Sequence, residues 1–179
     1  MVNTIQISKR LSYVLRHSPE SIGITLDPNG WVLVSELLTK LGTHGMNIDR
    51  VTLERVVAEN DKKRFTFDEG HDRIRAAQGH SIDIDLKLSP VDPPAVLYHG
   101  TAERFWTSID EKGLIKQNRQ YVHLSSDERT AVKVGQRHGK PIVLRIDTQK
   151  MVADGLVFFK SDNNVWLTDS VPRQYIERT

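Results

Sequence analysis

Histidines beside hydroxyl residues accompany two predicted strands in the second half of the chain. Residues 96–98 (Val-Leu-Tyr) predict a strand that breaks at Gly100, so that His99 and Thr101 lie at the rim of a cleft. The glycine lets a ligand or a neighbouring backbone come close, and the two side chains offer directional hydrogen bonds. A similar element at residues 119–125 ends in His-Leu-Ser, which indicates one shared pocket.

Three arginines next to predicted element ends could bind phosphate. They are Arg16, which His17 follows directly, Arg64 and Arg119. The planar guanidinium is well shaped to hold a phosphate through two hydrogen bonds. A histidine beside it could stabilise charge or transfer a proton near neutral pH. Each arginine alone would be read as a solvated surface residue, so the interpretation depends on the whole set.

Several common kinds of site are excluded by the residue types present. The chain has no cysteine, which excludes disulfides, thiolate zinc sites and cysteine nucleophiles. It has neither a Gly-x-Gly-x-x-Gly sequence after a strand nor a Walker-type loop. Its seven histidines show no paired ligand spacing, so we expect no metal site.

The first half predicts helices followed by a two-stranded ribbon. Apolar residues at helical spacing predict a helix from Ile5 that ends near Pro19, because proline cannot continue it. We predict short strands at 24–26 and 31–34, a helix capped by Ser35, and a helix from 48 to about 59 capped by Asn47. Strands at 64–67 and 73–75 complete the pattern. It fits a winged helix and any other small α+β domain equally well.

A proline-dense segment, Ser89–Pro94, predicts a domain boundary, because three of the seven prolines fall within five residues. The second half predicts a mixed sheet with two helices, so the whole chain is expected to be α+β. The predicted strands are 96–98, 121–124, 142–146, 156–160 and 165–168, and the predicted helices are 102–112 and a second from a Ser125–Glu128 capping box to about 137.

Composition is ordinary for a soluble globular protein of 179 residues, with 38% hydrophobic and 27% charged residues. Residues 1–89 carry 12 basic and 12 acidic residues, and residues 90–179 carry 13 and 11. Neither half is a polycation, so phosphate recognition would depend on a few arginines at specific positions. The sequence shows no signal peptide and no apolar run of membrane-spanning length, so we expect a cytoplasmic protein without membrane contact.

Seven short motifs, in order along nearly the whole chain, resemble the NAD-dependent RNA 2′-phosphotransferases, also known as tRNA 2′-phosphotransferases. The motifs are Leu-Arg-His17, Asn-Asp-Lys-Lys-Arg-Phe65, Ile-Arg-Ala-Ala-Gln-Gly-His-Ser81, Tyr-His-Gly-Thr101, Arg-x-x-Val-His-Leu-Ser125, Gly-x-Arg-His-Gly139 and Val-Trp-Leu-Thr168. Each is weak alone, and the joint pattern is highly specific.

The resemblance implies two lobes and a two-step reaction. Residues 1–89 would form a winged-helix RNA-binding lobe, and residues 90–179 an ADP-ribosyltransferase-like NAD-binding lobe with a mixed or antiparallel sheet. An internal RNA 2′-phosphate would be transferred to NAD, giving 2′-OH RNA, nicotinamide and ADP-ribose 1″,2″-cyclic phosphate. NAD would be consumed as a cosubstrate, no metal would be needed, and the protein is expected to be a monomer.

The resemblance also assigns residues. The catalytic set falls on Arg16, His17, Arg64 and Arg119; the NAD contacts fall on His99, Gly100, Thr101 and Ser125; and the RNA side falls on Arg75, Gln78, His80 and Ser81. Two positions depart from the family pattern, because Ala77 stands where an asparagine is common and Asn164 where a glycine is common. Neither belongs to the catalytic set.

Two other functions stay open from the residues themselves. One is an ADP-ribosyltransferase that acts on terminal phosphates of nucleic acids. The other is a non-catalytic winged-helix protein that binds nucleic acid and senses NAD. The complete set of Arg16, His17, Arg64 and Arg119 argues against the second, because a binder has no use for a full transfer site.

Overall fold

The computed structural model describes residues 3–179, which divide into two compact units, one ending at Lys87 and the other beginning at Leu88. Every strand pairing among these residues is antiparallel, so the α+β expectation is confirmed. The mixed sheet predicted for the second half is wrong, because no described pair of strands there is parallel. Within residues 3–179, no helix is both long and apolar enough to cross a bilayer. The same residues contain no cluster of three or more His, Cys, Asp or Glu side chains suited to a metal ion.

The first helix, α1 (Thr4–Arg16), forms as its sequence pattern predicts. Its four buried residues are Ile7, Leu11, Val14 and Leu15, which share one face at 3.6 residues per turn. The Asn3 side chain caps the helix by accepting from the Ile5 backbone N–H at 2.9 Å. Pro19 opens a short 3₁₀ helix, Pro19–Ile22, which prevents α1 from continuing.

The rest of the first unit contains two helices and one small sheet, packed around a core that α1 also enters. The helices are α2 (Val34–Thr43) and α3 (Arg50–Ala58); the strands are β1 (Val32–Leu33), β2 (Phe65–Phe67) and β3 (Arg73–Ala76), in the sheet order β1-β3-β2. The predicted ribbon is therefore present as β2 and β3, in the register Phe65↔Ala76 and Phe67↔Ile74.

Three details of the first unit differ from the sequence predictions. Residues 24–26 form no strand. Ser35 is not a cap, because β1 pairs with β3 up to Leu33 and α2 begins directly after it at Val34, whose N–H donates to the Asp72 carbonyl at 2.9 Å. Asn47 is not a cap either, because the Asp49 carboxylate accepts from the Thr52 N–H at 2.8 Å and starts α3.

The second unit contains eight strands and three α-helices among its described residues, together with three short 3₁₀ helices. The strands are β4 (Val96–Ala102), β5 (Leu114–Ile115), β6 (Val122–Leu124), β7 (Pro141–Asp147), β8 (Phe158–Lys160), β9 (Trp166–Thr168), β10 (Ser170–Val171) and β11 (Ile176–Arg178). The helices are α4 (Trp106–Lys112), α5 (Glu128–Gly135) and α6 (Thr148–Ala153), and the 3₁₀ helices are Glu103–Phe105, Gln136–His138 and Arg173–Tyr175. The sheet orders are β11-β7-β4, β6-β9-β8 and β10-β5.

The largest difference from prediction concerns β4. The strand does not break at Gly100 but runs on to Ala102, pairing with β7 from Val96↔Asp147 to Ala102↔Pro141. The predicted helix 102–112 is therefore shortened to α4. The Ser125 capping box is also wrong, because Asp127 caps α5 by accepting from the Thr130 N–H at 2.7 Å. Helix α6 was not predicted.

Gly100 is required by the packing of α5 on β4. A Cβ atom at this position would lie 1.6 Å from the carbonyl oxygen of Ala131, a buried residue in α5. Gly135, at the end of α5, repeats the arrangement, because its Cβ would lie 2.6 Å from the Thr101 carbonyl oxygen. The close approach predicted at Gly100 is thus made by neighbouring backbone, and it fixes α5 against the strand that carries His99.

Candidate active site

The first group of site residues lies at the C-terminal end of α1. Arg16 is the last residue of the helix, and His17 is its C-cap, whose backbone N–H donates to the Tyr13 carbonyl at 3.0 Å. Arg16 is half-buried and His17 is exposed. The prediction that both residues stand at a helix end is confirmed.

Ser81 contacts both of these residues. Its hydroxyl oxygen lies 2.8 Å from His17 Nδ1, and its backbone N–H donates to the Arg16 carbonyl at 3.0 Å. The family resemblance assigns Ser81 to the RNA side. In the structure its direct partners are His17 and Arg16, two residues of the predicted catalytic set, so it can orient the imidazole.

Arg64 is held in place by Asn60, the first residue of the Asn-Asp-Lys-Lys-Arg turn. The Asn60 side-chain oxygen accepts from the Arg64 guanidinium at 3.3 Å and from the Lys62 backbone N–H at 3.2 Å. Its amide nitrogen donates to the Ser8 hydroxyl in α1 at 3.0 Å. The turn that carries Arg64 is therefore attached to the helix that ends at Arg16.

The segment 77–81, which follows β3, connects the two positions. At one end the Ala77 N–H donates to the Arg64 carbonyl at 2.8 Å, and at the other end Ser81 bonds to Arg16. Between them, a Cβ on Gly79 would lie 3.6 Å from Arg16 Nη1. One five-residue segment thus gathers three members of the predicted catalytic set within the first unit.

His80, within the segment 77–81, is a buried neutral histidine. It is 1% exposed, and neither ring nitrogen has a hydrogen-bond partner among the described residues. Burial is the largest cause that lowers the pKa of His80, and together with the charges of Arg16, His17 and Arg75 it brings that pKa to about 4. The imidazole therefore stays uncharged at neutral pH.

Gln78 and Arg75, the other residues assigned to the RNA side, occupy different surroundings. The Gln78 side-chain oxygen is buried and has no hydrogen-bond partner within residues 3–179. The Arg75 guanidinium lies 4.5 Å from the Trp31 ring centroid and donates to the carbonyls of Asn29 and Leu86, at 3.4 Å each. Arg75 thus fastens the end of the first unit to its small sheet.

In the second unit, β4 and β6 bring the predicted NAD contacts together. Tyr98 and Ser125 form a bridge in which each backbone N–H donates to the other carbonyl, at 2.9 and 2.8 Å. This bridge places Ser125 beside His99, the next residue of β4. Thr101 is buried at 7% exposure, and Gly100 lies beneath α5.

His99 is oriented by the backbone of β6. Its Nδ1 lies 2.9 Å from the carbonyl oxygen of His123, so Nδ1 carries the proton and donates. Burial lowers the pKa of His99 below its ordinary value. The hydrogen bond to the His123 carbonyl raises this pKa, whereas the charges of His138 and Arg119 lower it. A neutral His99 with a proton on Nδ1 offers Nε2 as a hydrogen-bond acceptor.

Arg119 stands on the turn before β6 and contacts His123 Nδ1 through Nη1 at 2.7 Å. Although the residue as a whole is exposed, the surrounding chain desolvates its guanidinium and lowers the pKa of Arg119. Arginine remains a cation throughout the physiological range, so it can still bind a phosphate.

The comparisons with known proteins bear on what these cations bind. The sequence profile described as "RNA 2′-phosphotransferase, Tpt1 / KptA family" matches residues 2–170. The chain belongs to this family.

Three similar proteins illustrate the extent of the match, and each is named "Probable RNA 2′-phosphotransferase". The protein from Agrobacterium fabrum is 57% identical over 169 residues, covering 94% of this chain and 91% of its own length. The one from Acaryochloris marina is 53% identical, covering 94% and 93%. The one from Fusobacterium nucleatum is 48% identical over 178 residues and covers 99% of both chains.

In this RNA 2′-phosphotransferase family member, two residues that contact arginines of the candidate site, Asn60 and His123, were not predicted from the sequence. The signal for Asn60 was local, because an asparagine at the start of a turn often bonds the backbone that follows. His123 gave a weaker signal, four residues after Arg119 in a predicted strand. At Asn164, where the resemblance implies that a glycine is common, the backbone φ is +62°, a left-handed conformation that asparagine tolerates better than most residues.

Proposed function

We propose that this protein removes an internal 2′-phosphate from RNA, such as the splice-junction phosphate of a tRNA, by transferring it to NAD. The products are RNA with a 2′-OH, nicotinamide and ADP-ribose 1″,2″-cyclic phosphate. The observation that carries the proposal is the family match over residues 2–170. The gathered cations of the first unit supply the phosphate-binding chemistry that such a reaction needs.

The proposal includes the division of labour between the two parts of the chain. Residues 1–89 would act as a winged-helix RNA-binding lobe, which the order of three helices and the β2–β3 ribbon supports. Residues 90–179 would act as an ADP-ribosyltransferase-like lobe that binds NAD, which the antiparallel sheets carrying His99 and Ser125 support. The protein would work as a monomer.

The cations of the first unit suit a phosphate that changes charge during reaction. Arg16 and Arg64 supply guanidinium donors, and His17 can donate or accept a proton near neutral pH. Their positions are fixed in advance by Ser81 and by Asn60. Preorganised donors of this kind are most effective where charge grows in the transition state.

The second unit offers groups that fit a ribose and an amide. The Nε2 acceptor of His99 and the hydroxyl of Ser125 lie on adjacent strands, and both can bond to hydroxyl or amide hydrogens. Arg119 adds a cation that can bind phosphate. When bound, NAD supplies a ribose carbon with a good leaving group, nicotinamide.

The reaction would run in two steps that balance without a further reactant. In the first, an oxygen of the RNA 2′-phosphate forms a bond to the nicotinamide-bearing ribose carbon, and the bond to nicotinamide breaks. In the second, the 2″-hydroxyl of that ribose forms a bond to phosphorus, and the bond from phosphorus to the RNA 2′-oxygen breaks. The hydroxyl proton finally resides on the RNA 2′-oxygen.

The test is to incubate the protein with NAD and an RNA oligonucleotide that carries one internal 2′-phosphate labelled with ³²P. We expect the label to leave the RNA and appear in a cyclic phosphodiester, with nicotinamide released in equal amount. RNA without the 2′-phosphate is the control. Label that stays on RNA with an added ADP-ribose on a terminal phosphate would instead support the ADP-ribosyltransferase alternative, and no NAD-dependent change would refute both.

A further inference from the structure

His123 contacts two polar candidate-site residues of the second unit, Arg119 and His99. Its side-chain Nδ1 lies 2.7 Å from Arg119 Nη1, and its backbone carbonyl accepts from His99 Nδ1 at 2.9 Å. The neighbours Val122 and Leu124 are buried, so the alternation of β6 turns the His123 ring to the opposite face. There the ring is half-buried and lies against the guanidinium.

The chemistry of this contact determines which nitrogen carries the proton. A guanidinium has five N–H donors and no acceptor, so Arg119 can only donate. Nδ1 of His123 must therefore present its lone pair, and the proton of the neutral ring resides on Nε2. The contact is a charge-assisted hydrogen bond from a cation to a neutral imidazole.

Arg119 needs such a partner because its own backbone position is weakly constrained. It lies on the turn between β5 and β6, where residues 115–119 are all exposed. Within that turn Gln117 has a positive φ of 53°, and the Arg119 N–H donates to the Lys116 carbonyl at 3.0 Å. A long side chain on an exposed turn samples many rotamers unless an acceptor selects one.

We infer that His123 is a positioning residue for the transfer reaction, which holds the Arg119 guanidinium through Nδ1 in the orientation that binds the transferred phosphate. This role rests on the proposed function, because it acts through Arg119. It assigns His123 no contact with substrate. It does explain why the residue between two apolar core residues of β6 is a histidine.

Three substitutions of matched shape separate this role from a structural one. His123→Asn places an amide oxygen at the position of Nδ1. His123→Leu has nearly the same shape as His123→Asn without an acceptor, and His123→Gln places its oxygen near the position of Nε2. We expect the single-turnover rate of phosphate removal to stay within about threefold of wild type for His123→Asn. For His123→Leu and His123→Gln we expect a rate about 10- to 100-fold lower, since a misplacement of the guanidinium by about 1 Å can reduce the rate about 10²-fold.

A double-mutant cycle tests whether the effect passes through Arg119. If it does, His123→Leu slows the wild-type protein but leaves the already slow Arg119→Ala variant unchanged within about twofold. Enzyme in excess over labelled RNA keeps these slow rates measurable. Equal slowing by His123→Leu in both backgrounds would overturn the inference, as would equal activity of the Asn, Leu and Gln variants.

The tautomer can be measured on the wild-type protein without any activity assay. ¹⁵N NMR of the imidazole at pH 7.5 should show an unprotonated Nδ1 and a protonated Nε2 for His123, and Arg119→Ala should shift the Nδ1 signal. A proton on Nδ1 would overturn the inference even if all His123 variants were too unstable to assay. If wild type fails to remove the 2′-phosphate, the proposed function fails; if wild type is active and the Asn variant is no better than Leu, only the role of His123 fails.

Discussion

His17 Nδ1 and the Ser81 hydroxyl lie 2.8 Å apart, although 64 positions separate the two residues in the chain. The contact joins the end of α1 to the segment after β3, so the imidazole is oriented from outside its own helix. Both residues are exposed. A hydrogen bond between exposed groups contributes little to the free energy of unfolding, so its effect should appear in the reaction.

Ser81→Ala should therefore reduce kcat about tenfold, because the imidazole loses one partner while the backbone bond from residue 81 to Arg16 stays. Ser81→Thr keeps the hydroxyl and should retain most of the activity. Steady-state kinetics with 2′-phosphorylated RNA measures both. A rise in KM for RNA without a change in kcat would mean that Ser81 binds RNA directly, as the family resemblance implies.

Arg64→Ala and Arg119→Ala should each slow phosphate removal by about 10²–10³-fold, because each removes a donor to the transition-state phosphate. Melting temperatures should stay close to that of wild type. Arg55→Ala on α3 and Arg129→Ala on α5, both exposed, are the matched controls and should keep full activity. Rates within a few-fold of wild type for both Arg64→Ala and Arg119→Ala would remove these arginines from the site.

Arg16→Ala and His17→Ala should slow the second step more than the first. The 2′-phosphate is a dianion that needs little activation, whereas in the second step a neutral hydroxyl must attack a phosphodiester that carries negative charge. An ADP-ribosylated RNA 2′-phosphate should then accumulate, visible as a slower gel band when the adenylate of NAD is labelled. Lost overall activity with no such adduct at any time or NAD concentration would contradict this order of events.

His80 should make the protein less stable in mild acid. Its pKa is about 4 in the folded state against 6.5 for the ordinary group, so the unfolded chain binds the proton first as pH falls. The contribution of His80 to the free energy of unfolding is therefore fully present above pH 6.5. It is lost as the pH falls from 6.5 to about 4, and the total loss is about 3 kcal/mol. Urea unfolding at a series of pH values should show this decline in wild type and a flatter profile in His80→Phe, whose buried ring cannot titrate. Parallel profiles would contradict the prediction.

Gly100→Ala should destabilise the second unit by about 3 kcal/mol or prevent its folding, because the new methyl group would meet the Ala131 carbonyl oxygen. Gly42→Ala is the control. Gly42 lies within α2, and a Cβ there would meet its nearest neighbour, the Asn47 side-chain oxygen, at an ordinary 3.7 Å. That substitution should stabilise by about 0.5–1 kcal/mol, since alanine favours the helix. Thermal unfolding of both variants measures the contrast, and equal melting temperatures would refute it.

Local patterns were sufficient where neighbouring residues alone decide the structure. The face of α1, its end before Pro19 and the β2–β3 ribbon all follow from periodicity and turn chemistry. Helix starts were less predictable. Ser35, Asn47 and Ser125 were reasonable caps by type, but strand pairing or an aspartate two residues later determined where each helix began.

The sequence by itself therefore determined the family and the residue types that the chemistry needs, because ordered motifs and the absence of cysteine are properties of the chain alone. Only the tertiary structure decided which residues hold the site in place. Gly100 appeared to end a strand, and its true constraint is a carbonyl 31 residues later. Ser81 contacts His17, which lies 64 positions away in the chain. His123 contacts Arg119 on the face of β6 that points away from the core. Such contacts depend on chain segments that packing brings together, and no local pattern encodes that packing.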